Sequence, residues 1–307
     1  MSARVMVFAP APILTVTIEQ QTSAPELHLH PGGHGVWQAR MVAALGVPVT
    51  ICVAVDGEPG DILRQRLEHE NVTVKSVPRG SPSGWYVHDR RGGSRHEIAQ
   101  HPGEPLRRHD LDELYTLTLT EGLRAPVSIL SGPADPGVID PDVYRRLAAD
   151  LTGNEVRVVA DLTGEHLAAV VDGGASFVKV SHEELIADGR AADDRPETLL
   201  AAGRRLRADG AAAVLVSRAA EPALALFEDR EVWVHPPALQ VTEHRGAGDS
   251  MSAGVAAVLA RGGDLTDAIR TGAAAGALNV TRHGLGTGRA DAVAELATRV
   301  RFAPYGA

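Results

Sequence analysis

Short runs of nearly unbroken apolar residues recur along this chain, and each is separated from the next by a segment with helical spacing. The runs lie at 5–9, 49–55, 127–130, 156–162, 177–180 and 212–217. Apolar residues three or four apart fill 36–45, 61–70, 110–122, 141–151, 164–171 and 195–209, the period of amphipathic helices. A strand that is apolar on both faces must be covered on both faces, and helices returning the chain between parallel strands supply that cover. The pattern predicts an α/β protein, a three-layer α/β/α sandwich around a mostly parallel sheet. An edge hairpin is expected around Asp229-Arg230. Beyond it the chain reads as almost wholly helical, with Gly254, Gly272 and Gly276 allowing helices to pack closely.

Two stretches break this rhythm. Residues 13–19 and 26–30 alternate apolar with polar side chains, and 85–88 and 96–99 flank a glycine turn at 89–95, which reads as a hairpin. These pieces are expected to join as a small β-sheet lid, from about 13–30 and 84–100, on a single domain spanning 1–307. An apolar share of 44% supports a full core, and a net charge of −9 without a long basic run speaks against nucleic acid or anionic membrane as partner. No run approaches the ~18 apolar residues of a membrane span, and no signal segment opens the chain, so a cytoplasmic protein is expected. The single cysteine, Cys52, sits inside an apolar run and reads as a buried small hydrophobe.

The chemistry concentrates at Arg245-Gly246-Ala247-Gly248-Asp249-Ser250, directly ahead of a helical run. A turn of such small residues opening into a helix leaves backbone N–H groups pointing outward at the positive end of the dipole, where an anion can approach closely. Asp249 stands in the first helical turn, and a carboxylate there either caps the helix or takes the proton of a hydroxyl attacking a bound phosphoryl group. Gly32-Gly33-His34-Gly35 forms a second glycine turn before a helix, and it serves either as a plain tight turn or as a ligand contact. Arg90, Arg91 and Arg95 near the hairpin tip could clamp a phosphate or simply keep the tip soluble. His28, His30 and His34 lack the spacing of a metal site, and no protein-held metal is expected.

Taken together, these turns make the chain resemble the ribokinase/PfkB family of carbohydrate kinases, in its 1-phosphofructokinase and tagatose-6-phosphate kinase branch. Residues 246–251 match its second signature, and Gly32-Gly33-His34-Gly35 with Ala39-Arg40 echoes the first. Ser131-Gly132-Pro133, Asp161, Lys179 with Glu184, and Gly284-Leu285-Gly286-Thr287-Gly288 match further positions. The resemblance implies a ribokinase-like fold, a homodimer joined through the β lids, and ATP-dependent transfer to a hydroxyl of a sugar or sugar phosphate. It implies Asp249 as general base and the N–H groups of Gly246, Ala247 and Gly248 as the anion hole. It further implies Lys179, Ser217 and Gly286 at the nucleotide, Glu184 holding Mg²⁺ through water, and Thr15, Gly32, Gly33, His34, Trp37 and Arg90 at the sugar.

Several positions depart from the family pattern. Thr15 stands where the sugar-binding aspartate is expected, His34 replaces a lysine and Trp37 an asparagine. Ser217-Arg218-Ala219-Ala220-Glu221-Pro222 lacks both expected glycines, Ser181 replaces an asparagine, and His244-Arg245 replaces the usual Thr-x. A catalytic corner kept beside altered pockets allows a kinase of unusual specificity or a ligand-binding regulator with weak or no transfer. A dinucleotide oxidoreductase is disfavoured, because no Gly-x-Gly-x-x-Gly opens a first strand–helix unit with an acid ~20 residues on.

Overall fold

The computed structural model describes residues 2–20, 24–68, 72–242, 244–282 and 285–306. Gly284 of the expected C-terminal glycine loop and the last two residues of the helix expected at 61–70 lie outside them. The chain runs β1 (Val5–Phe8), β2 (Ile13–Gln20), β3 (Pro25–Gly32), α1 (His34–Ala44), β4 (Val49–Ala54), α2 (Gly57–Glu68) and β5 (Val72–Val77). A hairpin of β6 (Ser83–Asp89) and β7 (His96–Gly103) precedes α3 (Arg108–Gly122). The alternation then continues through β8 (Val127–Ser131), α4 (Pro141–Thr152), β9 (Arg157–Asp161), α5 (Gly164–Asp172), β10 (Phe177–Ser181), α6 (His182–Ala187), α7 (Pro196–Ala208) and β11 (Val214–Arg218). β12 (Glu221–Leu226), β13 (Glu231–His235), α8 (Ala247–Ala260), α9 (Leu265–Asn279), α10 (Ala290–Ala297) and β14 (Arg301–Pro304) complete it.

Ten strands form one sheet in the order β5-β4-β1-β8-β9-β10-β11-β12-β13-β14, parallel from β5 to β11 and antiparallel beyond. Alternate residues of each strand feed opposite faces: Val5 and Val7 join one apolar cluster, Met6 and Phe8 the other. This is the expected sandwich, with three differences. β5 was not legible, because only Val72 and Val77 of it are buried and its middle is polar. The hairpin at Asp229-Arg230 is not at the edge, since β14 pairs with β13 outside it. For the same reason the C-terminal part is not wholly helical. The close helix packing does hold, for a methyl group on Gly254 would lie 2.8 Å from the Gly272 backbone.

β2 and β3 join the β6–β7 hairpin in a second, four-stranded sheet, β3-β2-β6-β7, with β2 and β6 parallel. The large sheet reverses its winding between β1 and β8, each the other's parallel neighbour. That crevice, at the carboxyl ends of the strands, is where open α/β sheets place ligands. The start of α1 lies over it: a methyl group on Gly35 would sit 2.4 Å from the Ala9 side chain and 3.3 Å from that of Ser131. Only a residue without Cβ lets the helix come down there.

Candidate active site

α8 begins at the crevice. Gly246, its N-cap, takes the left-handed conformation (φ 73°), and no side-chain hydrogen bond caps the first turn, so the amides of the Gly-Ala-Gly bend are not closed off by a capping side chain. Asp249 is only 4% exposed in that turn. It does not cap the helix. Its Oδ1 instead lies 3.1 Å from His34 Nδ1 and accepts from Gln38 Nε2 at 3.3 Å, both carried by α1. The two glycine turns thus meet, as the sequence suggested.

Behind Asp249 the polar contacts continue through the ends of β9 and β10. Gln38 Nε2 also donates to Asp161 Oδ2 at 3.1 Å, and Ser252 Oγ donates to the same oxygen at 2.8 Å. Lys179 Nζ donates to Asp161 Oδ1 at 3.2 Å and lies 3.8 Å from Glu184. Burial pulls the Lys179 ammonium down, but Asp161, Glu184 and Asp249 together outweigh it and hold the group charged well above its ordinary range. The ammonium also touches the anion turn, since a methyl group on Gly248 would lie 2.4 Å from Lys179 Nζ. Lys179 is thus ion-paired with Asp161 and lies against Gly248. The Asp249 carboxylate raises the His34 imidazole to about 9, so His34 is a cation at neutral pH. Its ring stands half exposed, edge-on to Trp37 at 5.7 Å between centroids.

Glu184 closes the start of α6. It accepts from the Ser181 N–H at 2.7 Å while the Ser181 hydroxyl accepts from the Glu184 N–H, a capping box. Among the described residues, no group of three or more His, Cys, Asp or Glu gathers to enclose a metal. Glu184 bonds Ser181 and approaches Lys179 through Oε2, and its carboxylate is part-exposed, so it could meet a hydrated Mg²⁺ through water. The histidines of the small sheet stay apart from this: His28 and His30 stack on one another at 5.8 Å, while His34 faces Asp249.

Beside Trp37 a cavity of about 590 Å³ opens between α1, the small sheet and the 285–289 loop. Thr15, Trp37, Arg90 and Gly286 line it; Asp249, Lys179, Glu184 and Ser217 do not. Among the described residues, Arg40, Arg95, Arg245, Arg282 and Arg289 line it, with one carboxylate, Glu19. Arg91 does not line it and instead bonds Asp89 at 2.7 Å, which splits the expected three-arginine clamp. Gly32 backs on to Thr15, whose hydroxyl lies 2.5 Å from where a Gly32 methyl would be, and Gly33 (φ 109°) turns the chain into α1. Ser217 pairs in register with Ser181 at the end of β11.

Sequence reasoning missed two residues. Gln38, wholly buried, follows Trp37 in what reads as a plain helix, and only its polar side chain on the buried face could have signalled it. Asn279, at the end of α9, donates from Nδ2 to the Arg245 carbonyl at 2.7 Å and accepts from the Gly286 N–H at 3.1 Å. It ties the anion turn to the cavity loop, and a buried asparagine closing an alanine-rich helix was the available signal.

The pattern of the pfkB family of carbohydrate kinases matches residues 10–292. The chain belongs to that family. Its relatives include the ATP-dependent 6-phosphofructokinase isozyme 2 of Escherichia coli (strain K12), 29% identical over 257 residues, covering 83% of this chain and 82% of the relative. The 1-phosphofructokinase of Bacillus subtilis (strain 168) is 25% identical over 260 residues and 84% of each chain. The crystal structure of a mutant of phosphofructokinase-2 from Escherichia coli superposes with a TM-score of 0.85 at 25% identity, over 97% of this chain and 99% of that one. The protein is thus a carbohydrate kinase of the PfkB family, with phosphofructokinases among its relatives. Neither the geometry nor these relatives favour the binding-only alternative.

Proposed function

We propose that this PfkB kinase transfers the γ-phosphoryl group of ATP to a hydroxyl of a phosphorylated sugar. The observation that carries this reading is the uncapped Gly246–Gly248 turn, with the Asp249 carboxylate on one side and the Lys179 ammonium against Gly248 on the other. Asp249 takes the proton of the acceptor alcohol as its oxygen attacks the γ-phosphorus. The bond from that phosphorus to the bridging oxygen of ATP breaks, and ADP leaves. The turn's amides and Lys179 face the charge that develops on the transferred group, so they stabilise the transition state more than the ground state. Bound Mg²⁺, held through Glu184 and water, would neutralise nucleotide phosphate charge. The arginines of the cavity supply the fork-shaped donors that suit the acceptor's own phosphate, with Arg90 among them. Gly286 and Ser217 are assigned to the nucleotide side.

Thr15 in the cavity offers a hydroxyl where a carboxylate was expected, and Trp37 offers an indole in place of an amide, so the acceptor is gripped by hydrogen bonds and stacking. We treat residues 1–307 as one kinase domain that pairs with a second copy through the small sheet, whose outer strands expose Leu27 and Ile98. No helix among the described residues is long and apolar enough to cross a membrane, and we assign the enzyme to the cytoplasm. The test is coupled ADP release across a panel of sugars and sugar phosphates, with Asp249→Asn as control. Release on a phosphorylated sugar that vanishes in the variant supports the reading; no release on any acceptor overturns it.

A further inference from the structure

Gln38 holds a place that no other residue type fills in the same way. Its side chain is wholly buried between two carboxylates, and its single NH₂ group, which has two hydrogens, reaches Asp249 Oδ1 at 3.3 Å and Asp161 Oδ2 at 3.1 Å. The other end of the amide, Oε1, is buried with no partner. An orphaned buried acceptor is costly, so a residue kept here for packing alone would be a leucine or methionine. The donor is what this position uses. A lysine would neutralise one of the acids, whereas an amide binds both and leaves their charges intact.

We infer that Gln38 is a positioning residue, which ties Asp249 to the Asp161–Lys179 pair and so fixes the acid relative to the anion turn. The inference rests on the kinase reading for its catalytic meaning, but not for its geometry. Asp161 is itself anchored by Ser252 and by Lys179, which abuts Gly248. Gln38 is the link that carries this anchorage to Asp249. His34 and Gln38 both meet Asp249 at Oδ1, so the two α1 side chains fix the same oxygen. Without the amide, two buried anions face one another, and Asp249 is held by one half-exposed imidazole.

The test is Gln38→Met, which keeps length and bulk but removes both hydrogens; Gln38→Leu gives the same reading should the methionine variant fail to fold. The first readout is the titration of His34 by NMR, which reports where the Asp249 carboxylate sits whether or not the enzyme turns over. With Asp249 loosened, the His34 pKa is expected to fall from about 9 towards the ordinary value of roughly 6.5. In ADP release, kcat is expected to drop roughly tenfold with the KM for the acceptor within about twofold, as loss of alignment predicts. A folded variant in which the His34 titration is unchanged or raised overturns the inference. Absence of ADP release from the unaltered enzyme overturns the kinase reading alone, and the His34 titration still decides the role of Gln38.

Discussion

The groups behind the anion turn sit on helices and strands of the main body and are mostly buried, with Gln38, Asp161, Lys179 and Asp249 bonded in series. The cations facing the neighbouring cavity are half-buried or exposed, and Arg90 and Arg95 come from the turn between β6 and β7. One region holds buried, mutually bonded side chains at fixed separations, as proton and phosphoryl transfer require. The other surrounds its space with long, rotatable side chains that can follow ligands of different shape. On the proposed function, alignment and recognition fall to different materials, so a substitution in one region should change a kinetic parameter that the other leaves alone.

Breaking the buried side has the larger effect. Asp249→Asn keeps the shape and removes the proposed base; kcat is expected to fall by roughly 10²–10⁴ with the KM for the acceptor little changed, measured by ADP release. Lys179→Met leaves Asp161 buried without its cation and is expected to cost about 3–5 kcal/mol of stability, read from denaturant unfolding. On the arginine side, Arg90→Ala should raise the KM for a phosphorylated acceptor about tenfold while kcat stays within about twofold. An equal loss in kcat would erase the contrast between the two regions. The smallest effect concerns pH. His34 has its pKa raised in the folded protein to about 9, so its contribution to stability is fully present below its unfolded value of roughly 6.5. That contribution is lost as the pH rises through about 9, and His34→Gln should flatten melting temperature against pH across this window.

The sandwich was legible because strands buried on both faces cannot hide their composition; β5 and β14, at the two edges, could. β5 has a polar middle, and β14 is a short segment after three helices whose pairing depends on where β13 ends. At the site, local sequence announced the two glycine turns, since close backbone approach restricts the residue type. It could not announce that Asp249 faces α1, or that Gln38 spans two acids from elements more than a hundred residues away. Those contacts arise from the crossing of α1 and α8 and leave no periodic trace. The division of the arginines was hidden for a similar reason: Arg90 and Arg91 are neighbours in sequence, yet only the first reaches the cavity.

The bare crossing of Gly254 on Gly272 has a mechanical consequence. With backbone against backbone and a methyl group excluded, α8 and α9 form a keyed joint that resists sliding. One end of that joint carries the anion turn, and Asn279 at the end of α9 grips both that turn and the loop at Gly286. The turn and the loop therefore share a single clasp, and their spacing is set by one amide at the end of α9.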